Sequence, residues 1–257
     1  MAAVRYFTSI GECMLEFSSV SDGNWRLSYA GDTLNTAWYF RALAGDEWNI
    51  DYVTRLGSDS HSAAMLDFLT RHGIGTRYIQ RDAERQPGLY LIETKNGERS
   101  FSYWRSQSAA RHMADDEGPL AAAMDASDVI YFSGITLAIL APDRRAFLLN
   151  LIADARASGK TTVFDPNIRP RLWESVDEIR DWLTRAAAVS SLSLPSFDDE
   201  REWFSDADID ACATRFLDAG AERVCVKNGG GPICYGYGDG LKTLSSLDKV
   251  DPVDSTG

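Results

Sequence analysis

The sequence contains no G-x-x-x-x-G-K-[ST] run, no G-x-G-x-x-G after a strand-like segment and no G-x-S-x-G. These gaps remove the main sequence support for a P-loop nucleoside triphosphatase, a nicotinamide-type dinucleotide fold and a nucleophile-elbow hydrolase. No stretch approaches the roughly 18 consecutive apolar residues of a membrane span, and Met1-Ala2-Ala3-Val4-Arg5-Tyr6 carries no apolar signal-peptide core. Basic residues are in deficit, 26 Lys and Arg against 38 Asp and Glu, for a net charge of −12. That balance argues against a general nucleic-acid or membrane-surface binder, yet a few arginines can still make one pocket attractive to a small anion. The four cysteines (Cys13, Cys212, Cys225, Cys234) include no C-x-x-C pair, and His61, His72 and His112 are scattered. A zinc site is therefore disfavoured, and a reduced cytoplasmic protein with buried thiols is expected.

What is present is an alternation. Short runs rich in β-branched and aromatic residues at 6–10, 52–56, 129–133, 161–165, 189–192 and 224–227 alternate with helix-period segments at 33–43, 60–72, 144–158, 176–187 and 209–218. Gly73, Gly159 and Gly220 each follow a helical segment and precede the next strand, where a left-handed cap belongs. Repeated helix–Gly–strand units predict an α/β fold with a mostly parallel sheet covered by helices on both faces. Residues 13–30 and 88–105 break this rhythm with imperfect alternation and a Lys95-Asn96-Gly97 turn signal. They predict a small, half-solvated β-sheet able to cover a ligand, with an edge hairpin of the main sheet as the alternative. The chain has no long linker, repeat or low-complexity segment. Its length suits one elaborated domain or two small ones.

Several runs could carry chemistry. Gly31, Asp32 and Asn35 combine close backbone approach with fixed polar atoms, although a plain helix start explains them equally well. Tyr103 and Arg105 share one face of a predicted strand, with Tyr90 on its neighbour. This suits a carboxylate, or else a cation–π pair facing solvent. Asn167 and Arg169 follow a strand in D-P-N-I-R-P-R-L-W, at the end where open α/β sheets bind ligands. Lys227 and Gly229 open a Gly-rich turn that either cradles phosphate or simply turns a hairpin. Asp198, Asp199 and Glu200 offer a hydrated-cation site or an ordinary acidic helix start.

Their order says more than any one of them. G-D-T-L-N, P-G-L-Y, E-R-S-F-S-Y-W-R, S-G-I-T-L-A-I-L, F-D-P-N-I-R-P-R-L-W, D-D-E, V-K-N-G and the closing D-S-T-G together resemble the ribokinase-like (PfkB) carbohydrate kinases, from Gly11 to Gly257. Within them the chain resembles the branch that phosphorylates 2-keto-3-deoxygluconate. The resemblance implies a three-layer α/β/α sandwich spanning 1–257, with a lid sheet from about 13–30 and 88–105. It implies ATP and Mg²⁺ as cofactors and a sugar acid as substrate, and the exposed lid sheet offers a surface for a homo-oligomer. By position, Gly31, Asp32 and Asn35 would contact substrate hydroxyls. Tyr90, Tyr103, Arg105 and Arg169 would surround the keto acid, and Asn167, Ser193, Lys227 and Gly229 would line the ATP. Glu200 would act on magnesium through water, and Gly257 would begin the anion hole.

Three departures from the pattern stand out. Phe197 replaces the family's Asn, Pro232 replaces a second Gly, and D-S-T-G is only the first half of D-T-x-G-A-G-D, whose last Asp is the general base. The expectation is that these 257 residues bind the sugar acid without turning it over. Two further readings stay open at this point: a fructokinase-like member of the family, and a non-catalytic sugar-acid-binding fragment.

Overall fold

Helix ends organise the chain. Gly73, Gly159 and Gly220 adopt φ of 70°, 87° and 114°, a left-handed turn that side chains with a Cβ rarely take and that lets each helix stop and its strand begin at once. Helix starts are fixed as firmly. Asp59, Ser175 and Asp208 accept from backbone N–H groups of the first turns that follow them. The structure, a computed structural model, describes residues 4–20, 23–95, 98–238 and 240–245. The chain forms two compact units, Met1–Ser127 and Asp128–Gly257.

In the first unit, β1 (Arg5–Ile10), β4 (Trp48–Val53) and β6 (Ile74–Gly75) are parallel neighbours. They are joined through α1 (Asp32–Leu43) and α2 (Ser60–Arg71). A separate four-stranded sheet has the order β3 (Trp25–Ala30), β2 (Met14–Ser19), β8 (Gly88–Lys95), β9 (Glu98–Trp104). Its outer pairs are antiparallel, and β2 runs parallel to β8. A two-stranded piece, β5 (Arg55–Gly57) with β7 (Gln80–Asp82), and α3 (Glu117–Ala126) complete the unit. Tyr52, Leu34, Leu56, Met65, Leu69 and Leu120 are among its buried side chains.

In the second unit the sheet follows chain order: β10 (Val129–Ser133), β11 (Thr161–Asp165), β12 (Leu192–Ser193), β13 (Arg223–Val226), β14 (Ile233–Tyr237) and β15 (Gly240–Leu244). The first four are parallel and the last two antiparallel. Helices α4 (Gly134–Ala138), α5 (Pro142–Ala157), α6 (Val176–Ala188), α7 (Phe197–Phe204) and α8 (Ile209–Asp218) connect them. Phe132 and Phe164 stack at 5.0 Å in its core.

Two strand expectations need correction. The run 52–56 is not one strand: it straddles the end of β4 and the start of β5, with Thr54 between them. Both strands are buried there, so burial reads through a break in pairing. In 189–192, Val189 caps α6 and only Leu192 belongs to a strand, because the Ser190 N–H still bonds Ala187 O at 3.0 Å and closes the helix end. All four cysteines are unpaired. No helix among the described residues is long and apolar enough to cross a membrane.

Candidate active site

Strand register places the first unit's candidate residues. Tyr90 lies opposite Tyr103, Gly88 opposite Met14, and Glu16 opposite both Tyr90 and Ser28. Because side chains alternate along a strand, Glu16, Ser28, Tyr90, Phe101 and Tyr103 share one face, and Arg105 continues it just past β9. The face is a network. Tyr90 donates to Glu16 Oε2, Ser28 donates to Glu16 Oε1 at 2.8 Å, and the two tyrosine rings stack at 5.5 Å. Burial, and then the bond to Glu16, push the Tyr90 hydroxyl's pKa well above its ordinary value. Tyr90 therefore stays a neutral donor spent on Glu16, while Tyr103, 49% exposed, is the tyrosine presented to solvent.

Arg105 is not a free cation. Its side chain is only 10% exposed, and Nη2 pairs with Oε2 of Glu12, a residue to which the sequence reading gave no role. Glu12 also governs the start of α1. A Cβ on Gly31 would come within 2.2 Å of the Glu12 carbonyl oxygen, so only glycine fits where β3 hands over to α1. Gly31 is itself the N-cap, with no side-chain cap bond, and Asp32 is the first helical residue. The Asp32 side chain is thus not spent as the cap. Asn35, one turn on, donates its backbone N–H to Gly31 O at 2.7 Å.

In the second unit, Asp165, Ser193 and Lys227 stand at the C-terminal ends of adjacent parallel strands, the edge where such sheets take ligands. Lys227 Nζ bonds Asp165 Oδ2 at 2.6 Å. Asn167 holds φ of 34°, a left-handed conformation uncommon outside glycine and frequent where a loop is constrained for function. Its N–H donates to Asp165 Oδ1 at 3.2 Å. Trp173 anchors the far end of this loop beneath the buried Arg145, 4.9 Å from guanidinium carbon to ring centre. Arg169 projects outward, 53% exposed, with Nη1 4.0 Å from Asp199 Oδ2. Burial pushes the Asp199 carboxyl up even with Arg169 beside it. Gly229 and Gly230 take φ of 48° and 87° in the turn between the antiparallel strands β13 and β14, so the Gly-rich run turns a hairpin.

Two residues are placed differently from the sequence expectation. Ser193 is fully buried, and its Oγ finds no hydrogen-bond partner. It lines the strand end from below, and its side chain is not open to a ligand. Glu200 is 0% exposed; its Oε2 accepts from Arg215 at 2.7 Å, and Arg215 also clasps Asp206. Burial raises the Glu200 carboxyl to about 7 against the pull of Arg215. An enclosed, ion-paired carboxyl presents no exposed oxygen to a metal-bound water, the role expected of it. No cluster of three His, Cys, Asp or Glu among the described residues is arranged to hold one. Gly257 and the turn residues Asn96 and Gly97 lie outside the described residues.

The profile described as "pfkB family carbohydrate kinase" matches residues 4–257. The chain is 40% identical over 224 residues to a 2-dehydro-3-deoxygluconokinase of Haemophilus influenzae, covering 86% of this chain and 71% of that one. Its fold is similar to the crystal structure of a PfkB protein from Polaromonas sp. JS666, with TM-score 0.83, 24% identity, and 96% and 84% of the two chains covered. It is also similar to aminoimidazole riboside kinase from Salmonella enterica complexed with aminoimidazole riboside and an ATP analogue, with TM-score 0.80, 20% identity, and 98% and 80% covered. With a ribokinase-like α/β fold, a mostly parallel sheet and a small separate one, the chain belongs to the pfkB family of carbohydrate kinases.

Proposed function

We propose that this chain reads substrate and nucleotide as a 2-dehydro-3-deoxygluconokinase does, through the side chains described above. In that reaction the terminal hydroxyl of 2-keto-3-deoxy-D-gluconate attacks the γ-phosphorus of ATP. The products are 2-keto-3-deoxy-6-phosphogluconate and ADP, and the hydroxyl proton passes to a base. One observation carries the choice of substrate: Arg105 lies at the end of the face that holds Tyr90 and Tyr103, in a chain 40% identical to such a kinase. A neutral sugar such as fructose offers no carboxylate to that arginine.

In this reading Asp32 and Asn35 hydrogen-bond substrate hydroxyls, and Gly31 lets the backbone come close. Tyr103 and Arg105 read the keto acid, Tyr90 holds Tyr103's ring in place by stacking, and Arg169 adds a second guanidinium for an anion. Lys227 leaves Asp165 for the ATP phosphates, Asn167 orients them, and Gly229 keeps the turn beside them open. Phosphoryl transfer depends mostly on positioning and electrostatic stabilisation, which is the work these side chains are suited to. Mg²⁺, when it accompanies the triphosphate, would neutralise phosphate charge, and Glu200 is engaged in its ion pair with Arg215.

The opposite face of the four-stranded sheet carries Phe17, Trp25, Leu27, Leu91 and Trp104, the last 56% exposed. We infer that this apolar face pairs two copies of the chain. Sedimentation of Trp104→Glu should then give a smaller species than the parent, and an unchanged mass overturns that inference.

Calorimetry tests the substrate. The chain should bind 2-keto-3-deoxygluconate and discriminate against fructose. Equal or tighter binding of fructose would refute the sugar-acid reading.

A further inference from the structure

Resting on the sugar-acid reading above, we propose that Glu12 is the positioning residue of the substrate site, holding Arg105 in the one orientation from which it reads a carboxylate. Glu12 lies in the turn between β1 and β2 and is 1% exposed. It touches three of the elements that carry candidate substrate residues. Its carbonyl oxygen abuts Gly31, at the start of the helix bearing Asp32 and Asn35. Oε1 crowds Gly88, where a Cβ would approach to 2.7 Å, at the head of the strand bearing Tyr90. Oε2 meets Nη2 of Arg105.

The pair is buried yet incompletely bonded. Glu12 Oε1 and Arg105 Nε have no hydrogen-bond partner. Buried polar groups are normally satisfied, and exceptions call for a reason. A buried ion pair is also weak support for stability, because desolvation offsets much of its attraction. A functional reason accounts for both facts. The guanidinium is a planar fork on a long flexible stem. A carboxylate gripping one edge fixes the plane of the fork and leaves the other N–H groups for a ligand. Because the pair is neutral overall, an acid is then selected by the direction of those donors and not by a bare positive charge.

The test uses the chain itself, with 2-keto-3-deoxygluconate and its neutral analogue in which the carboxyl is reduced to an alcohol. Calorimetry on Glu12→Ala should show affinity for the acid falling by about tenfold to a hundredfold, the scale of a group displaced by an ångström. Affinity for the neutral analogue should change by less than about threefold. In an Arg105→Ala background, Glu12→Ala should have no further effect on the acid. Glu12→Gln, which keeps an acceptor and the side chain's volume, should lose less, and it carries the same test if the alanine variant does not fold. A second readout needs no substrate. Phenylglyoxal should modify Arg105, mapped by mass spectrometry, faster in either Glu12 variant than in the parent.

Equal loss on both ligands, a loss that persists without Arg105, or unchanged Arg105 reactivity would overturn the positioning role. A parent chain that binds neither ligand would instead overturn the sugar-acid reading, and Arg105 reactivity would still decide whether Glu12 holds the guanidinium.

Discussion

Replacing Glu200 by Gln should make the chain's stability less sensitive to pH. Glu200 is wholly enclosed between α7 and α8, with Arg215 on Oε2 and no partner on Oε1. Burial lifts its carboxyl from an ordinary 4.5 to about 7. A carboxyl with a raised folded pKa is protonated in the native protein over a range where the unfolded chain has already lost the proton. Its stabilising effect is therefore complete below pH 4.5 and is lost as pH rises through 7. Each pH unit of difference corresponds to about 1.4 kcal/mol, so the parent should lose about 2–3 kcal/mol relative to Glu200→Gln between pH 5 and pH 8. For a chain of this size that is roughly 5–10 °C in Tm. Gln keeps the volume and an acceptor for Arg215, and Arg215 retains its bidentate clasp on Asp206, so the network should survive the change. Melting both proteins at half-unit steps from pH 5 to pH 8 isolates the effect, since groups common to the two cancel in the difference. Curves that stay parallel across the range would show that Glu200 is ionised in the folded protein throughout, and the argument from burial would fail.

Three further outcomes follow from the site. Gly31→Ala must push the α1 start and the Glu12 turn apart by roughly an ångström to relieve a 2.2 Å approach. It should cost about 1–3 kcal/mol of stability and weaken acid binding, and a variant with parental melting and affinity would show that the turn yields freely. Arg169→Ala should lose about 1.5–3 kcal/mol of binding energy for the keto acid, the worth of a charge-assisted hydrogen bond, and little for the reduced analogue; an equal loss on both would move Arg169 away from the carboxylate. Lys227→Ala should weaken ATP binding by about tenfold or more, measured by calorimetry, while leaving acid binding intact; unchanged ATP affinity would mean that Lys227 serves only Asp165.

Much of the architecture was legible because the signals were local. Gly73, Gly159 and Gly220 mark helix ends through backbone conformation alone, and the alternation at 88–105 reflects a sheet with distinct faces. The site residues were legible as motifs, but their partners were not. Nothing near Arg105 in sequence announces that Glu12, folded back from the end of β1, neutralises it. Gly11-Glu12-Cys13-Met14 belonged to the run that carried the family resemblance, and a charged residue between otherwise apolar neighbours was the only available signal. Glu200 misled for the opposite reason. An acidic helix start looks solvated in sequence, whereas the Arg215 that encloses it comes from the next helix. Long-range pairing decides burial in both cases, and a motif does not report it.

The two sheets also differ in how far apart in the chain their neighbours lie, which bears on the order in which they form. In the second unit each strand from β11 to β15 pairs with the one just before it. That sheet can grow by local additions, with low contact order, as the chain emerges from the ribosome. The four-stranded sheet cannot. Met14 must find Gly88, and α1, α2 and five other strands are synthesised in between. Closing so long a loop before any contact offsets its entropy is slow. Pulsed hydrogen exchange during refolding should therefore find the amides of β11 protected well before those of β2 and β8, so that the surface proposed to read the sugar is the last to be assembled.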